Sequence, residues 1–169
     1  LLPQHPADHV LCRPPAPSRG VPTVAERVAL VTGGGSGIGA ATVRALAASG
    51  VAVMVADIDA AGAAAVAAEV SAAGGEAASV VVDVRDAESV RAMVAATVER
   101  FGALHVAVNS AGVSEDIADF AELPWAQWER TIDVNLSGTF RSLQAEIPAI
   151  LAAGGGAIVN VSSVAGLIG

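Results

Sequence analysis

The chain has 169 residues, 53% hydrophobic but only 3% aromatic, so its core must be assembled from Ala, Val, Leu and Ile, which suits close packing of helices on a sheet. Nine Lys and Arg against 17 Asp and Glu leave a net charge of -8, with no basic stripe to neutralise a phosphate backbone or an anionic bilayer, which argues against nucleic acid or a membrane as partner. Cys12 is the single cysteine, so no intrachain disulfide can form; with no apolar run approaching a membrane span, the expected setting is the cytoplasm.

Six of the eight prolines fall within the first 22 residues, where no apolar period is found. Residues 1–26 therefore read as a disordered leader. It has neither an initiating Met nor the apolar segment of a signal peptide. His5, His9 and Cys12 lie in it, but two imidazoles and a thiol without a fourth ligand give no reason to expect a metal site.

From Val28 onward, short continuous apolar runs alternate with longer helical patterns. Runs at 28–32, 51–56, 77–82, 104–108 and 157–161 fit strands buried on both faces of a parallel sheet. Helices are expected at 37–49, 60–73, 86–101 and 124–152. Gly50, Gly74 and Gly102 fall where left-handed C-terminal caps are wanted, and Asp86 can cap the helix it precedes. In the last helix Leu136, Phe140, Leu143 and Ile147 give an apolar stripe, and Pro148 should kink it near its end. Right-handed crossovers then give an α/β fold, a Rossmann-type doubly wound parallel sheet with helices on both faces and ligands at the carboxyl ends of the strands.

The sharpest motif is Thr32-Gly33-Gly34-Gly35-Ser36-Gly37-Ile38-Gly39, leaving the first strand and opening the first helix. Backbone without Cβ atoms can turn tightly, let a pyrophosphate approach, and offer it amide N–H groups together with the helix dipole. Gly35, Gly37 and Ala40 also satisfy the broad G-x-G-x-x-G/A pattern. Asp57, at the end of the second strand, could merely cap the next helix, a role open to Asp59 as well. Its functional reading is that the carboxylate accepts hydrogen bonds from both adenosine ribose hydroxyls and repels a 2′-phosphate. Ser36 leaves the loop without a basic partner for such a phosphate, so NAD is favoured over NADP.

At this point the sequence resembles the short-chain dehydrogenase/reductase family, over residues 27–169. The family's Thr-Gly-x-x-x-Gly-x-Gly loop is matched at Thr32, Gly33, Gly37 and Gly39. Asp83-Val84 resembles its adenine-contacting segment, and Asn109-Ser110-Ala111-Gly112 its Asn-Asn-Ala-Gly turn, with Ser110 in place of the second Asn. Asn135 falls on the catalytic asparagine and Ser163, in Ser162-Ser163, on the catalytic serine. Each of these could be a turn or cap residue taken singly; Asn135 is the most informative, since Asn is a mediocre helix former.

The resemblance implies hydride exchange between NAD and a secondary alcohol or ketone, with a tyrosine moving the proton, a lysine lowering its pKa, the serine bonding the substrate oxygen and the asparagine fixing a water in the proton relay. It also implies a homo-oligomer for the complete protein, and a segment 113–122 close to the active site. The sequence contains neither tyrosine nor lysine. Truncation ahead of the Tyr-x-x-x-Lys pair is the expected reason, leaving a fragment inactive by itself. Two other readings stay open: a methyltransferase, whose nucleoside site has the same geography, and a non-catalytic nucleotide-binding module.

Overall fold

The computed structural model describes residues 23–114 and 119–164. Most of the expected leader, with His5, His9 and Cys12, lies outside these residues, as does part of segment 113–122. The end of the leader region differs from expectation: Val24–Glu26 form a 3-10 turn, tied by Thr23, whose N–H and hydroxyl both donate to the Glu26 carboxylate at 2.8 and 2.9 Å.

Strand β1 is Val28–Thr32, followed by helix α1, Gly37–Ala48, then β2, Ala52–Asp57, α2, Ala60–Ala72, β3, Ala77–Val81, and α3, Ala87–Phe101. After β4, Val106–Asn109, come a 3-10 turn at Phe120–Glu122, helix α4, Trp125–Thr131, a π-helical segment, Ile132–Gly138, helix α5, Thr139–Ala152, and β5, Ala157–Asn160. All strand pairs are parallel, in the order β3-β2-β1-β4-β5. The chain thus winds outward through β2 and β3 on one side of β1, then restarts on the other with β4 and β5. The reversal lies between β1 and β4, where an open parallel sheet leaves a crevice at its carboxyl edge.

One apolar cluster joins β1 and β2 to α1 and α2 through residues such as Val31, Val43, Val55 and Val66. A second, on the opposite sheet face, joins Leu30, Met54, Met93, Leu104 and Ile150. The small side chains that dominate both let the helices lie close to the strands. Asp86 caps α3 by accepting from the N–H groups of Glu88 and Ser89, and Gly50, Gly74 and Gly102 all take positive φ, as the helix endings require.

The expected single helix at 124–152 is instead α4, a π-helical segment and α5. A π-turn fits an extra residue into the helical repeat, and here Gly138 within it presses on Val84, where a Cβ would come to 2.8 Å from the valine side chain. Pro148 lies inside α5, near its end as expected, and the helix runs on to Ala152 with the proline on its exposed side. The apolar stripe of this region also faces outward: Leu136 is 64% and Phe140 59% exposed, with Leu143 half-buried. The buried positions of α5 are Ser142, Glu146 and Ile150.

Candidate active site

At the switch point the strand ends stand in register: Thr32 pairs with Ala56 and Asn109, and Asn109 with Asn160. Above them opens a cavity of about 530 Å³. The glycine loop supplies Gly33, Ser36, Gly37, Ile38 and Gly39 to its wall, the end of β2 supplies Asp57, and the segment after β3 supplies Asp83 and Val84. The turn after β4 closes it with Ser110, Ala111 and Gly112. Ile58, not singled out by the sequence motifs, adds an apolar wall on the Asp57 side; its only signal was an apolar residue directly after the acid.

The glycines are required by contact. Gly33 has φ +65, and a Cβ there would lie 2.9 Å from the Ala111 backbone; a Cβ on Gly39 would run into the Gly33 carbonyl. The loop therefore folds flat against the turn after β4 and lets α1 begin at the sheet edge. Ser36 makes no side-chain cap, so the N–H groups of the first turn, which have no carbonyl partner within the helix, face the cavity.

Asp57 is fixed from two directions. Its Oδ2 accepts from Gly35 N–H and its Oδ1 from Asp59 N–H, each at 2.9 Å. Asp59, not Asp57, caps α2 by accepting from Ala61 N–H. Each Asp57 oxygen keeps a second lone pair, so the carboxylate is oriented without being used up. Gly35 itself stands behind the cavity, where a Cβ would come to 3.0 Å from that same carboxylate.

Thr32 and Asn109 also act from behind. Thr32 is buried, and its Oγ1 accepts from the N–H groups of Ser110 and Ala111 at 3.2 and 3.3 Å. Asn109 Nδ2 donates to Glu146 Oε2 and to Asn160 Oδ1, both at 3.0 Å. Burial pushes Glu146 up to about 6, against the opposing pull of the Asn109 N–H. Neither Glu146 nor Asn160 was singled out in the sequence. Asp83 accepts bonds from Arg85, at 2.7 Å from Nη2, and that guanidinium holds its carboxyl below the usual carboxylate range.

Asn135 lies in the π-helical segment, and both atoms of its amide are engaged by one residue. Oδ1 accepts from Val113 N–H at 2.8 Å and Nδ2 donates to Val113 C=O at 2.9 Å. The side chain is thus a clamp on the chain leaving the turn after β4, and it keeps one N–H and one lone pair beyond these two bonds. Ser162 and Ser163 follow β5 and are exposed; Val161, just before them, lines the cavity, whereas Asn135 and Ser163 do not.

Comparison with known proteins agrees with this geometry. A family model described as short chain dehydrogenase matches residues 27–169. Cyclohexanol dehydrogenase from Acinetobacter sp. (strain SE19) is 50% identical over 143 residues, covering 85% of this chain and 57% of that protein. Trans-4-hydroxycyclohexanecarboxylate dehydrogenase from Sinomonas cyclohexanicum is 43% identical over 156 residues, covering 86% of this chain and 58% of that protein. A solved short-chain type dehydrogenase/reductase from Mycobacterium ulcerans superposes with a TM-score of 0.79 at 34% identity, covering 82% of this chain and 52% of that one. The chain therefore spans a little over half the length of these relatives.

Proposed function

This chain belongs to the short-chain dehydrogenase family, and from that premise we propose that it forms the nucleotide-binding part of an NAD-dependent dehydrogenase acting on secondary alcohols or the matching ketones. The observation that carries the reading is Asp57: a carboxylate oriented by Gly35 and Asp59 at the rim of a cavity floored by a glycine loop. Its two spare lone pairs suit a pair of ribose hydroxyls. A 2′-phosphate brought to about 4 Å in an intermediate dielectric would meet repulsion on the order of a few kcal/mol, at least tenfold in affinity.

The residues around the cavity fit a dinucleotide. The uncapped start of α1 offers N–H groups and a positive dipole end to a pyrophosphate, and Ile58 and Val84 offer apolar walls to a flat base. When bound, NAD supplies the hydride acceptor. Among this chain's own residues, Ser163 is the group we assign to the substrate oxygen, and Asn135 holds the turn after β4 in place through Val113. Asp83 fixes the segment after β3 through Arg85. The substrate class we favour is a cyclic secondary alcohol, because relatives named for cyclohexanol and hydroxycyclohexanecarboxylate are 43–50% identical to this chain over the stretches that match. The setting we favour is the cytoplasm; no helix among the described residues is long and apolar enough to cross a membrane. Association with further copies of the chain, through the exposed stripe around Leu136 and Phe140, completes the proposal.

The test is Ser163→Ala in the intact protein, with NADH formation followed on cyclohexanol. Turnover should fall by about 10²–10⁴, while NAD affinity holds, since the hydroxyl would touch the reacting oxygen and not the adenosine half. Unimpaired turnover would show that Ser163 does not perform this chemistry.

A further inference from the structure

Glu146 is fully buried, yet one of its oxygens is unmatched. Oε2 accepts from Asn109 Nδ2 at 3.0 Å, while Oε1 has no hydrogen-bond partner among the described residues; on the facing residue Asn109 Oδ1 is likewise buried and unmatched there. Both orphans are acceptors, and they belong to the two groups already joined by an N–H···O bond. A carboxyl and a primary amide joined in this way close a second bond only when a proton sits on the remaining carboxyl oxygen. As a carboxylate, Glu146 would leave both of these buried acceptors without a donor.

We propose that Glu146 is a positioning residue that acts as the neutral acid at mildly acidic pH: its Oε1–H then donates to Asn109 Oδ1, its Oε2 accepts from Asn109 Nδ2, and this closed pair, which opens as the acid ionises, locks the ends of β4 and β5 beneath the cavity. Asn109 passes the constraint on. Its Nδ2 also reaches Asn160 Oδ1 at 3.0 Å, and its carbonyl accepts from Val161 N–H at 2.9 Å, the residue that leads into Ser162 and Ser163. Asn109 also begins the turn that Thr32 and Asn135 hold at Ala111 and Val113.

No neighbouring charge among the described residues accounts for the proton. β4 and β5 carry no charged residue. On α3, Glu88, Arg91, Glu99 and Arg100 are all exposed, and on the π-helical segment Asp133 pairs with Arg141 of α5 at 2.8 Å. His105, just ahead of β4, is pushed below its ordinary value by burial and by Arg27, and its Nδ1 accepts from Val28 N–H. Desolvation alone raises Glu146, from 4.5 to about 6, against the pull of Asn109. A pKa raised in the folded state means that the pair's contribution is fully present below about 4.5 and is lost as pH rises through about 6.

Glu146→Gln makes the same two-point pair with an amide that cannot titrate. In the intact protein without cofactor, unfolding is measured for both forms between about pH 4 and 8. At the acid end the two should match. Toward neutrality the wild-type unfolding constant should rise about thirtyfold relative to E146Q, the shift from 4.5 to about 6 converted at tenfold per unit. Exchange of the Val161 amide should accelerate with pH beyond its intrinsic rate in the wild type and not in E146Q. A difference independent of pH, an E146Q protein that fails to fold, or a carbon-13 titration of the Glu146 carboxyl at an ordinary carboxylate value would overturn the proposal. None of these readings involves NAD, so they fail or succeed apart from the cofactor assignment.

Discussion

On the β1–β2 flank every residue from Val28 to Thr32 and from Ala52 to Ala56 is buried, and α1 and α2 cover one face while α3 and α5 reach the other. On the β4–β5 flank the sequence is just as apolar, yet of β5 only Ile158 is even half-buried, α4 buries no residue, and Leu136, Phe140 and Leu151 point outward. Apolar character alone therefore does not locate the core. What separates the flanks is whether the described residues include a second layer to cover the first. The side with the glycine loop and Asp57 is closed across β1 and β2, and the side carrying Ser163, which we assign to the substrate oxygen, presents apolar surface at β5, Leu136 and Phe140.

The largest effect should come from removing the same side-chain atoms on the closed side. Leu30→Ala, at a fully buried position, should cost about 2–5 kcal/mol, seen as a large fall in the denaturant midpoint. Gly39→Ala comes next. Its Cβ meets the Gly33 carbonyl, so it should cost about 1–3 kcal/mol as overpacking does and abolish NAD binding by tilting α1 off the loop. The smallest effect belongs to the open side. Leu151→Ala, at a position 66% exposed, should stay within about 0.5 kcal/mol. A Leu151 cost equal to that of Leu30, read from the same midpoints, would erase the distinction between the flanks.

The same contrast decides what the sequence could reveal. On the closed side, continuous apolar runs, glycines at turns and an acid after the second strand are local signals, and they located β1, the loop and Asp57 to within a residue. The assignment of the α2 cap to Asp59 was also available locally, as one of two candidates. On the open side the decisive facts are tertiary. Glu146 reads as a solvated helix carboxylate until Asn109, 37 residues earlier in the chain, is brought against it by the β4–α5 packing. The stripe through Leu136 and Phe140 was visible by its period, but period reports which residues share a face and not which face is covered. The π-turn at Ile132–Gly138 has no apolar period of its own, so it read as ordinary helix. Asn135 stood out as a poor helix former, while its partner, the Val113 backbone, could not be read from residue types.

Asp57, on the closed side, is the carboxylate we propose as selecting the cofactor. The direct measurement is a calorimetric titration of the intact protein and of Asp57→Ala with NAD and with NADP. The wild type should bind NAD at least tenfold more tightly than NADP, by the carboxylate–phosphate repulsion, and Asp57→Ala should bring the two affinities together. Equal or tighter binding of NADP by the wild type, or a preference untouched by the substitution, would contradict the assignment.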